Sequence, residues 1–159
     1  MILADLTIDA VKHVAVNMRA RDREEIFATR WDDDPEMVAK TLVSLNPAGF
    51  VVQADDGEPV SVFGVYEMWP GVFSVFMFAT DRWEEVAFSM TKFVMRELIP
   101  SIMSGNFVRA ECKTLSTHDQ AHRWLETLGA YKESEHPCYG KNGETFFTYC
   151  WTKQPTKTN

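Results

Sequence analysis

Two histidines stand four positions apart, at His118 and His122, in the segment THDQAHRWLETLGA. On a helix this spacing places both imidazoles on one face, where they could supply two ligands to a zinc ion. The segment lacks the glutamate that follows the first histidine in zinc hydrolases, and the nearest further ligand types, Cys112 and His136, show no ligand spacing. We therefore predict solvated or partly packed histidines and no metal site.

Cys112 is the candidate nucleophile, because it closes an apolar segment just before a loop. No histidine–aspartate pair that would activate its thiol can be assigned from the sequence, so an ordinary strand thiol is favoured. The three cysteines, Cys112, Cys138 and Cys150, are odd in number and widely spaced. This usage favours reduced thiols in a reducing compartment over a disulfide framework.

Large aromatic residues are frequent, with 11 Phe and 5 Trp. Eight of them could line a ligand pocket, although aromatics at strand spacing more often form a core. They are Trp69, Trp83, Trp151, Phe73, Phe76, Phe78, Phe146 and Phe147. Trp31 and Trp124 are instead candidates for a protein interface, where tryptophan is enriched.

The elements that must position these residues follow from hydrophobic periodicity. Apolar residues at three- and four-residue steps predict helices over IDAVKHVAVNM, REEIFATRW and MVAKTLVSL, the last preceded by the start signal DDDP. FVVQA and VSVFGVYEM then predict an antiparallel hairpin around DDGEP. VFSVFMFA, a further strand without charged residues, is expected to be covered on both faces.

The second half begins with a long amphipathic helix from Trp83 to about Pro100, for which Asp81 and Glu84 form a predicted capping pair. FVRAEC is predicted as a strand. AYKESEHP and ETFFTYCW predict two last strands.

Between FVRAEC and these strands lies a helix, with Thr117 and Gln120 as a second capping box and Gly129 as a left-handed carboxyl cap. This order predicts a mixed α/β or α+β sheet with crossover connections. We expect a single domain over residues 1–152 and a flexible polar tail over 153–159.

The formal net charge of −7 argues against broad binding to nucleic acid or to anionic membranes. The clustered basic residues are Arg19, Arg21, Arg23 and Arg30, and acidic Asp22, Glu24 and Glu25 interleave with them. This mixture favours a solvated helix face. Without a membrane-spanning apolar run or a basic signal-peptide start, we expect a cytosolic protein or one assembled in a cytosol.

The order of elements and the segment after Thr117 resemble the GNAT acetyltransferase fold, in which a pattern like N-x-x-A-x-x-L-Y-E-K-L-G-F joins a helix to a strand. The residues at the corresponding positions are His118, Ala121, Trp124, Leu125, Leu128, Gly129 and Ala130. The resemblance implies a central, mostly antiparallel sheet with a splayed parallel strand pair and four to five helices.

The chain also resembles a GNAT-like family of phage internal virion proteins, which are linked to genome ejection. Three stretches carry this resemblance: NMRARDREEIFA, VSVFGVYE together with ATDRWEE, and THDQAHRWLETLGA. It implies a phage structural protein in the virion or the host cytoplasm, whose partners are other virion proteins or further copies of itself. It implies no direct nucleic-acid contact and no membrane contact.

The loop at which the resemblance places acetyl-CoA is degenerate. Acetyltransferases use a pattern [QR]-x-x-G-x-[GA] there, so that main-chain N–H groups approach the pyrophosphate. This chain has Thr80, Asp81, Arg82, Trp83, Glu84 and Glu85 instead, and no glycine between Gly71 and Gly105. We expect the carboxylates to occupy the free N–H groups and repel the pyrophosphate, with Arg82 offsetting one of them, so that no cofactor is bound.

The catalytic groups of the family are also missing. Leu125 stands where the resemblance places the tyrosine acid, and VFSVFMFA offers only Ser74 where a glutamate base is usual. Glu67 and Tyr139 are the weak substitutes, and an ordinary structural role is favoured for each.

We therefore predict a non-catalytic GNAT-fold protein that acts through protein contacts in phage particle assembly or genome ejection. The alternative is an active N-acetyltransferase that moves an acetyl group from acetyl-CoA to a protein or small amine. A host-directed binding protein made early in infection is a third reading.

Overall fold

One seven-stranded sheet organises the chain, in a computed structural model that describes residues 1–153. The strand order is β1-β2-β3-β4-β5-β7-β6, and every neighbouring pair is antiparallel except β4 with β5. The strands are β1 Ile2–Ala4, β2 Ala48–Gln53, β3 Pro59–Trp69, β4 Val72–Ala79, β5 Arg109–Leu115, β6 Tyr131–His136 and β7 Phe146–Thr152. The predicted mixed sheet with one parallel pair is thus confirmed.

Helices cover both faces of the sheet. They are α1 Ile8–Val16, α2 Ala20–Ala28, α3 Pro35–Ser44, α4 Ala87–Phe93, α5 Ile99–Met103 and α6 Asp119–Thr127. α1 to α3 pack on one face against Val51 and Val62, whereas α4 and α6 pack on the other against Val52 and Phe63. Because neighbouring strand residues point to opposite faces, the strands predicted to be apolar supply two separate cores.

β4 and β5 are joined for only part of their length. Val72–Ser74 pair with Arg109–Glu111, and the two strands separate beyond that point. β4 is apolar on both faces, and its residues contact both cores, as its lack of charge predicts. The separation places a gap between two strands in the middle of the sheet.

The amino-terminal region contains one element that the periodicity did not predict. Ile2–Ala4 form an edge strand paired with Val51–Gln53, ahead of the predicted helices. A three-residue strand is too short to display an alternating pattern. The start signal of α3 is confirmed, because Asp34 caps the helix by accepting from the N–H of Glu36 at 2.9 Å and Pro35 opens it.

Two predicted capping pairs are wrong. Residues Asp81–Glu85 form a 3₁₀ helix capped by Thr80, and α4 starts only at Ala87. The hydroxyl of Thr117 contacts Arg21 at 3.4 Å, and α6 has no side-chain cap. The left-handed cap at Gly129 is confirmed by its φ of 88°.

The long helix is also not uniform. A π-helical segment, Val94–Leu98, separates α4 from α5, and this helical path ends at Met103 instead of near Pro100. In the described part of the chain, no helix has the length and apolar character needed to cross a bilayer. The predicted flexible tail lies outside the described residues except for Lys153, whose N–H bonds the carbonyl of Val108 at 2.9 Å.

Candidate functional site

The gap between β4 and β5 opens into a groove of about 330 Å³. Residues 75–78 of β4 and 112–114 of β5 line it, together with side chains from α2, α3 and the start of α6. Four of the aromatic residues considered as pocket lining, Phe76, Phe78, Trp83 and Phe146, do contact it. We build the candidate site around this groove, because it is concave and lies where two neighbouring strands separate.

One end of the groove is closed by an ion pair between Arg19 and Asp22. Asp22 is 2% exposed, and its carboxylate binds the guanidinium of Arg19 through contacts of 2.8 to 3.0 Å. The same carboxylate accepts the main-chain N–H of Ala79 at 2.7 Å, and the N–H of Arg19 donates to the Ala79 carbonyl at 2.9 Å. The last residue of β4 is therefore bonded to α2, not to β5.

Burial raises the pKa of the Asp22 carboxyl above its usual range, while Arg19 and the N–H of Ala79 oppose that rise. A carboxyl that still forms an ion pair in such a site is held in place by directed contacts. The sequence-based expectation of a solvated face for residues 19–25 is thus wrong for Asp22 and Arg19, since both turn inward.

A second carboxylate, Glu25, closes the β5 side. Its Oε2 accepts from the Thr114 hydroxyl at 2.8 Å and from the N–H of Leu115 at 2.7 Å. His118, which is 4% exposed, lies between the two acids, with Nδ1 3.1 Å from Glu25 and Nε2 3.4 Å from Asp22. Two carboxylates of α2 and the imidazole of His118, which precedes α6, thus link the separated ends of β4 and β5.

The outer mouth is bridged by Gln120, in the first turn of α6. Its carbonyl oxygen accepts from Arg19 at 3.2 Å, and its amide donates to Glu84 at 3.1 Å. The Arg19 guanidinium also lies 5.5 Å from the ring centroid of Trp83. These contacts connect α2, α6 and the 3₁₀ turn across the end of the groove.

The turn Thr80–Glu85 is not capped by a carboxylate, although its acidic composition had predicted this. Thr80 accepts the N–H of Arg82 at 3.3 Å, so a hydroxyl, not a carboxylate, caps this turn. Arg82 binds Glu85, Glu58 and Asp56, and its contacts with Glu85 and Asp56 raise its pKa. Of the turn carboxylates, Arg82 therefore pairs with Glu85, and its other two partners, Asp56 and Glu58, lie outside the turn.

The other residues predicted to take part in chemistry do not meet in the groove. Glu67 lies outside its lining, and its carboxylate accepts the N–H of Gly71 at 2.8 Å in the β3–β4 turn. Tyr139 contacts the groove edge, and its ring lies 5.4 Å from that of Phe146. Leu125 lines the groove from α6, and no ionisable group replaces a tyrosine there.

Cys112 lines the groove as well, but burial raises the pKa of its thiol to about 12, with Glu25 contributing in the same direction. A thiol of this kind stays protonated and unreactive at neutral pH. Trp124 is part of the core, because its ring packs edge-on against Trp83 at 5.6 Å and its N–H donates to Thr91 at 2.9 Å. Trp31 is fully exposed.

The two histidines do not share a helix face. His118 precedes α6, whereas His122 lies within it and donates from Nε2 to the Leu115 carbonyl at 3.0 Å. Burial lowers the pKa of His122. Within residues 1–153, no three His, Cys, Asp or Glu side chains are grouped so that they could hold a metal ion.

Sequence reasoning therefore missed the residues that define the site: Asp22, Glu25 and Gln120. The available signal was the spacing of Arg19, Asp22 and Glu25 at three-residue steps, which places them on one helix face. A solvated row of ion pairs would show the same spacing. Only the burial of these side chains in the structure distinguishes a buried site from a solvated face.

No family model matches the sequence, and no curated protein matches it. Solved structures do match. A ribosomal-protein-alanine N-acetyltransferase from Brucella melitensis is 11% identical with a TM-score of 0.71, over 96% of this chain and 100% of that one. A ribosomal-protein-S5-alanine acetyltransferase from Vibrio fischeri is 16% identical with a TM-score of 0.65, over 97% and 92%.

A GNAT-family acetyltransferase from Bacillus anthracis is 11% identical with a TM-score of 0.63, over 94% of this chain and 93% of that one. These similarities show that the chain has the GNAT fold. At such low sequence identity they show the fold alone and do not assign an activity to this chain.

Proposed function

We propose that this chain is a non-catalytic protein with the GNAT fold, which works by binding another protein. The observation that carries the proposal is the bridge from Arg19 through Gln120 to Glu84 across the groove mouth. In an acetyltransferase with this fold, the cofactor pyrophosphate would lie beside the turn after β4. In this chain the position holds Glu84 and Glu85, and Arg82 is already bound to three acids.

The residues therefore do not fit acetyl-CoA. A pyrophosphate needs main-chain N–H groups in a helix amino end or a glycine-rich loop. Here the N–H of Arg82 is bonded to Thr80, that of Trp83 to the Thr80 carbonyl, and that of Val86 to the Trp83 carbonyl. Seating a diphosphate would require breaking these bonds and placing its charge next to two carboxylates.

The groove interior gives a second, independent argument. Leucine at position 125 cannot protonate a leaving thiolate, and both ring nitrogens of His118 already face carboxylates. Glu67 is bonded to Gly71 outside the groove. No positioned acid and base thus face a common reacting atom among the residues described.

The resemblance to phage internal virion proteins supports a more specific version of the proposal. In that version the chain is a virion component that contacts other virion proteins, or copies of itself, during assembly or ejection, in the particle or in the host cytoplasm. Mass spectrometry of purified particles from an infected culture tests it, and we expect the chain at a defined copy number. Its absence from particles but presence in infected cells would instead favour a host-directed binding protein.

A second candidate, an N-acetyltransferase, is favoured by one observation: the groove between β4 and β5 is still open inside. Titration calorimetry with acetyl-CoA decides between the two. We expect no heat of binding for the natural chain, and micromolar affinity would overturn the proposal. A Glu84→Gly, Gln120→Ala variant, in which the bridge is removed, is the matched control for whether the mouth is what excludes the cofactor.

A further inference from the structure

The outer side of α4 and of the π-helical segment after it carries exposed apolar residues. Phe88 is 82% exposed and Met95 is 48% exposed, although both residue types are usually buried. Phe88, Lys92 and Met95 follow one another at steps of four and three residues, so their side chains lie on one side of the helix. Met90 and Val94, on the other side, belong to the core. The helix is therefore apolar on its solvent side as well as on its core side.

The same surface has positive charges without partners, in a chain whose formal net charge is −7. Most lysines and arginines in residues 1–153 form ion pairs with carboxylates. Those that form none are Arg23, Lys92, Arg96, Arg123 and Lys153. Lys92 and Arg96 are both exposed and stand one helical turn apart beside the apolar side chains.

Nearby acidic residues do not neutralise these two cations. Glu97, on the same helical path, is exposed and forms no ion pair within residues 1–153. On the neighbouring helix α6, Asp119 lies 4.0 Å from His122, and Glu126 accepts the hydroxyl of Tyr149 at 3.2 Å. A carboxylate of a partner would therefore contact these cations without displacing an ion pair of this chain.

The combination selects one class of partner. Exposed apolar residues beside unpaired cations suit an amphipathic helix that has acidic residues next to its apolar stripe. From Phe88 to Met95 the helix rises about 10 Å, which matches two turns of such a partner helix. A second copy of the same helix, packed antiparallel, would instead bring Lys92 and Arg96 close to their own counterparts, and like charges repel.

We propose that this outer side of α4 and of the π-helical segment binds an acidic amphipathic helix of a partner protein. Phe88 and Met95 contact its apolar stripe, and Lys92 and Arg96 pair with its carboxylates. The inference rests on the proposed function, because it names the chemistry of the partner and the surface that receives it. None of these four residues lines the groove between β4 and β5.

Nuclear magnetic resonance titration of the full chain tests this, with the acetylated and amidated peptide AELLEALAELLEA as the probe at millimolar concentration. We expect shifts of the amides of Phe88, Lys92 and Met95. The charge-reversed peptide AKLLKALAKLLKA should bind more weakly. Added salt should weaken binding of the acidic peptide, because exposed charges are screened.

Two variants separate the charged from the apolar contribution. Lys92→Gln should weaken binding of the acidic peptide by roughly threefold, since one exposed ion pair is lost. Phe88→Ser should weaken it by roughly tenfold, and its high exposure means that the core is not disturbed. Lys40→Gln is the matched control, because it removes an exposed helical lysine on the other face of the sheet and should change nothing.

Absent shifts at the three amides, or equal binding of the two peptides, would overturn the inference. Stronger binding to vesicles of equal parts phosphatidylserine and phosphatidylcholine would also overturn it, because the cations would then face lipid headgroups. So would a dimer that Phe88→Ser abolishes, as read by analytical ultracentrifugation. Acetyl-CoA titrated in the same way tests the proposed function separately, because shifts at residues 80–86 would remove that function and not this helix surface.

Discussion

Asp22 accepts a hydrogen bond of 2.7 Å from the main-chain N–H of Ala79, 57 positions later in the chain. This bond ties the start of α2 to the end of β4, at the place where β4 no longer pairs with β5. The groove therefore remains open inside and closed at its end. The stability and the pH dependence expected for variants of Asp22 follow from that arrangement.

Asp22→Ala should destabilise the fold by about 3 kcal/mol, because it leaves the guanidinium of Arg19 and the N–H of Ala79 buried without their acceptor. Urea unfolding followed by tryptophan fluorescence measures this. The control is Glu24→Ala, which removes an exposed ion pair with Arg21 and should cost less than about 1 kcal/mol. Equal losses in the two variants would contradict the role assigned to Asp22.

The pH dependence of stability should carry a signature of the same carboxyl. Since burial raises the folded-state pKa of Asp22, its contribution to the free energy of unfolding is greatest below the unfolded pKa of about 3.9. That contribution is lost as pH rises through the folded pKa. Arg19 and His118 face position 22, Glu25 contacts His118, and all three are present in both the natural chain and Asp22→Asn.

The stability advantage of the natural chain over Asp22→Asn should therefore shrink as pH rises from 4 towards 7. Unfolding of both proteins across this range is the measurement. If the stability advantage of the natural chain over Asp22→Asn instead widens with pH, Arg19 lowers the folded-state pKa of Asp22 below its unfolded-state value.

Alkylation should separate the three cysteines. Cys138 is exposed, Cys150 is fully buried, and burial raises the pKa of Cys112 to about 12. Iodoacetamide at pH 8 should add one group to the native chain and three after denaturation, as read by intact mass. Cys138→Ser should then show no native adduct, and a rapid second adduct on the native chain would reopen the case for a reactive Cys112.

Gly129→Ala should destabilise the chain by about 1 kcal/mol, because its φ of 88° is a left-handed conformation that alanine adopts at a cost. An added Cβ would meet its nearest neighbour, Nε1 of Trp151, at 3.9 Å, so the cost is backbone strain and not a clash. Gly105→Ala is the matched control, since its Cβ would meet only the Ile102 carbonyl oxygen at 3.7 Å. Thermal unfolding of both variants compares the two positions.

Apart from β1 and the break in the long helix, the sequence by itself determined the order of elements, because each helix or strand pattern is a property of neighbouring residues. The hairpin of β2 and β3, the start of α3 at Asp34 and the cap at Gly129 all follow from local spacing. The resemblance to the GNAT fold, and not local spacing, indicated that glycines expected after β4 are missing and that Leu125 stands where a tyrosine is expected.

Only the tertiary structure decided which polar residues are buried together. Arg19 meets Gln120 across 101 positions, and His118 meets Glu25 across 93. Charged residues three positions apart show the same sequence pattern on a solvated helix face as on a face that closes a groove. No local signal therefore distinguishes a solvated face from a buried one. The difference arises because α2 is packed over the ends of two strands that have moved apart, and main-chain groups left unpaired there require acceptors from outside the sheet.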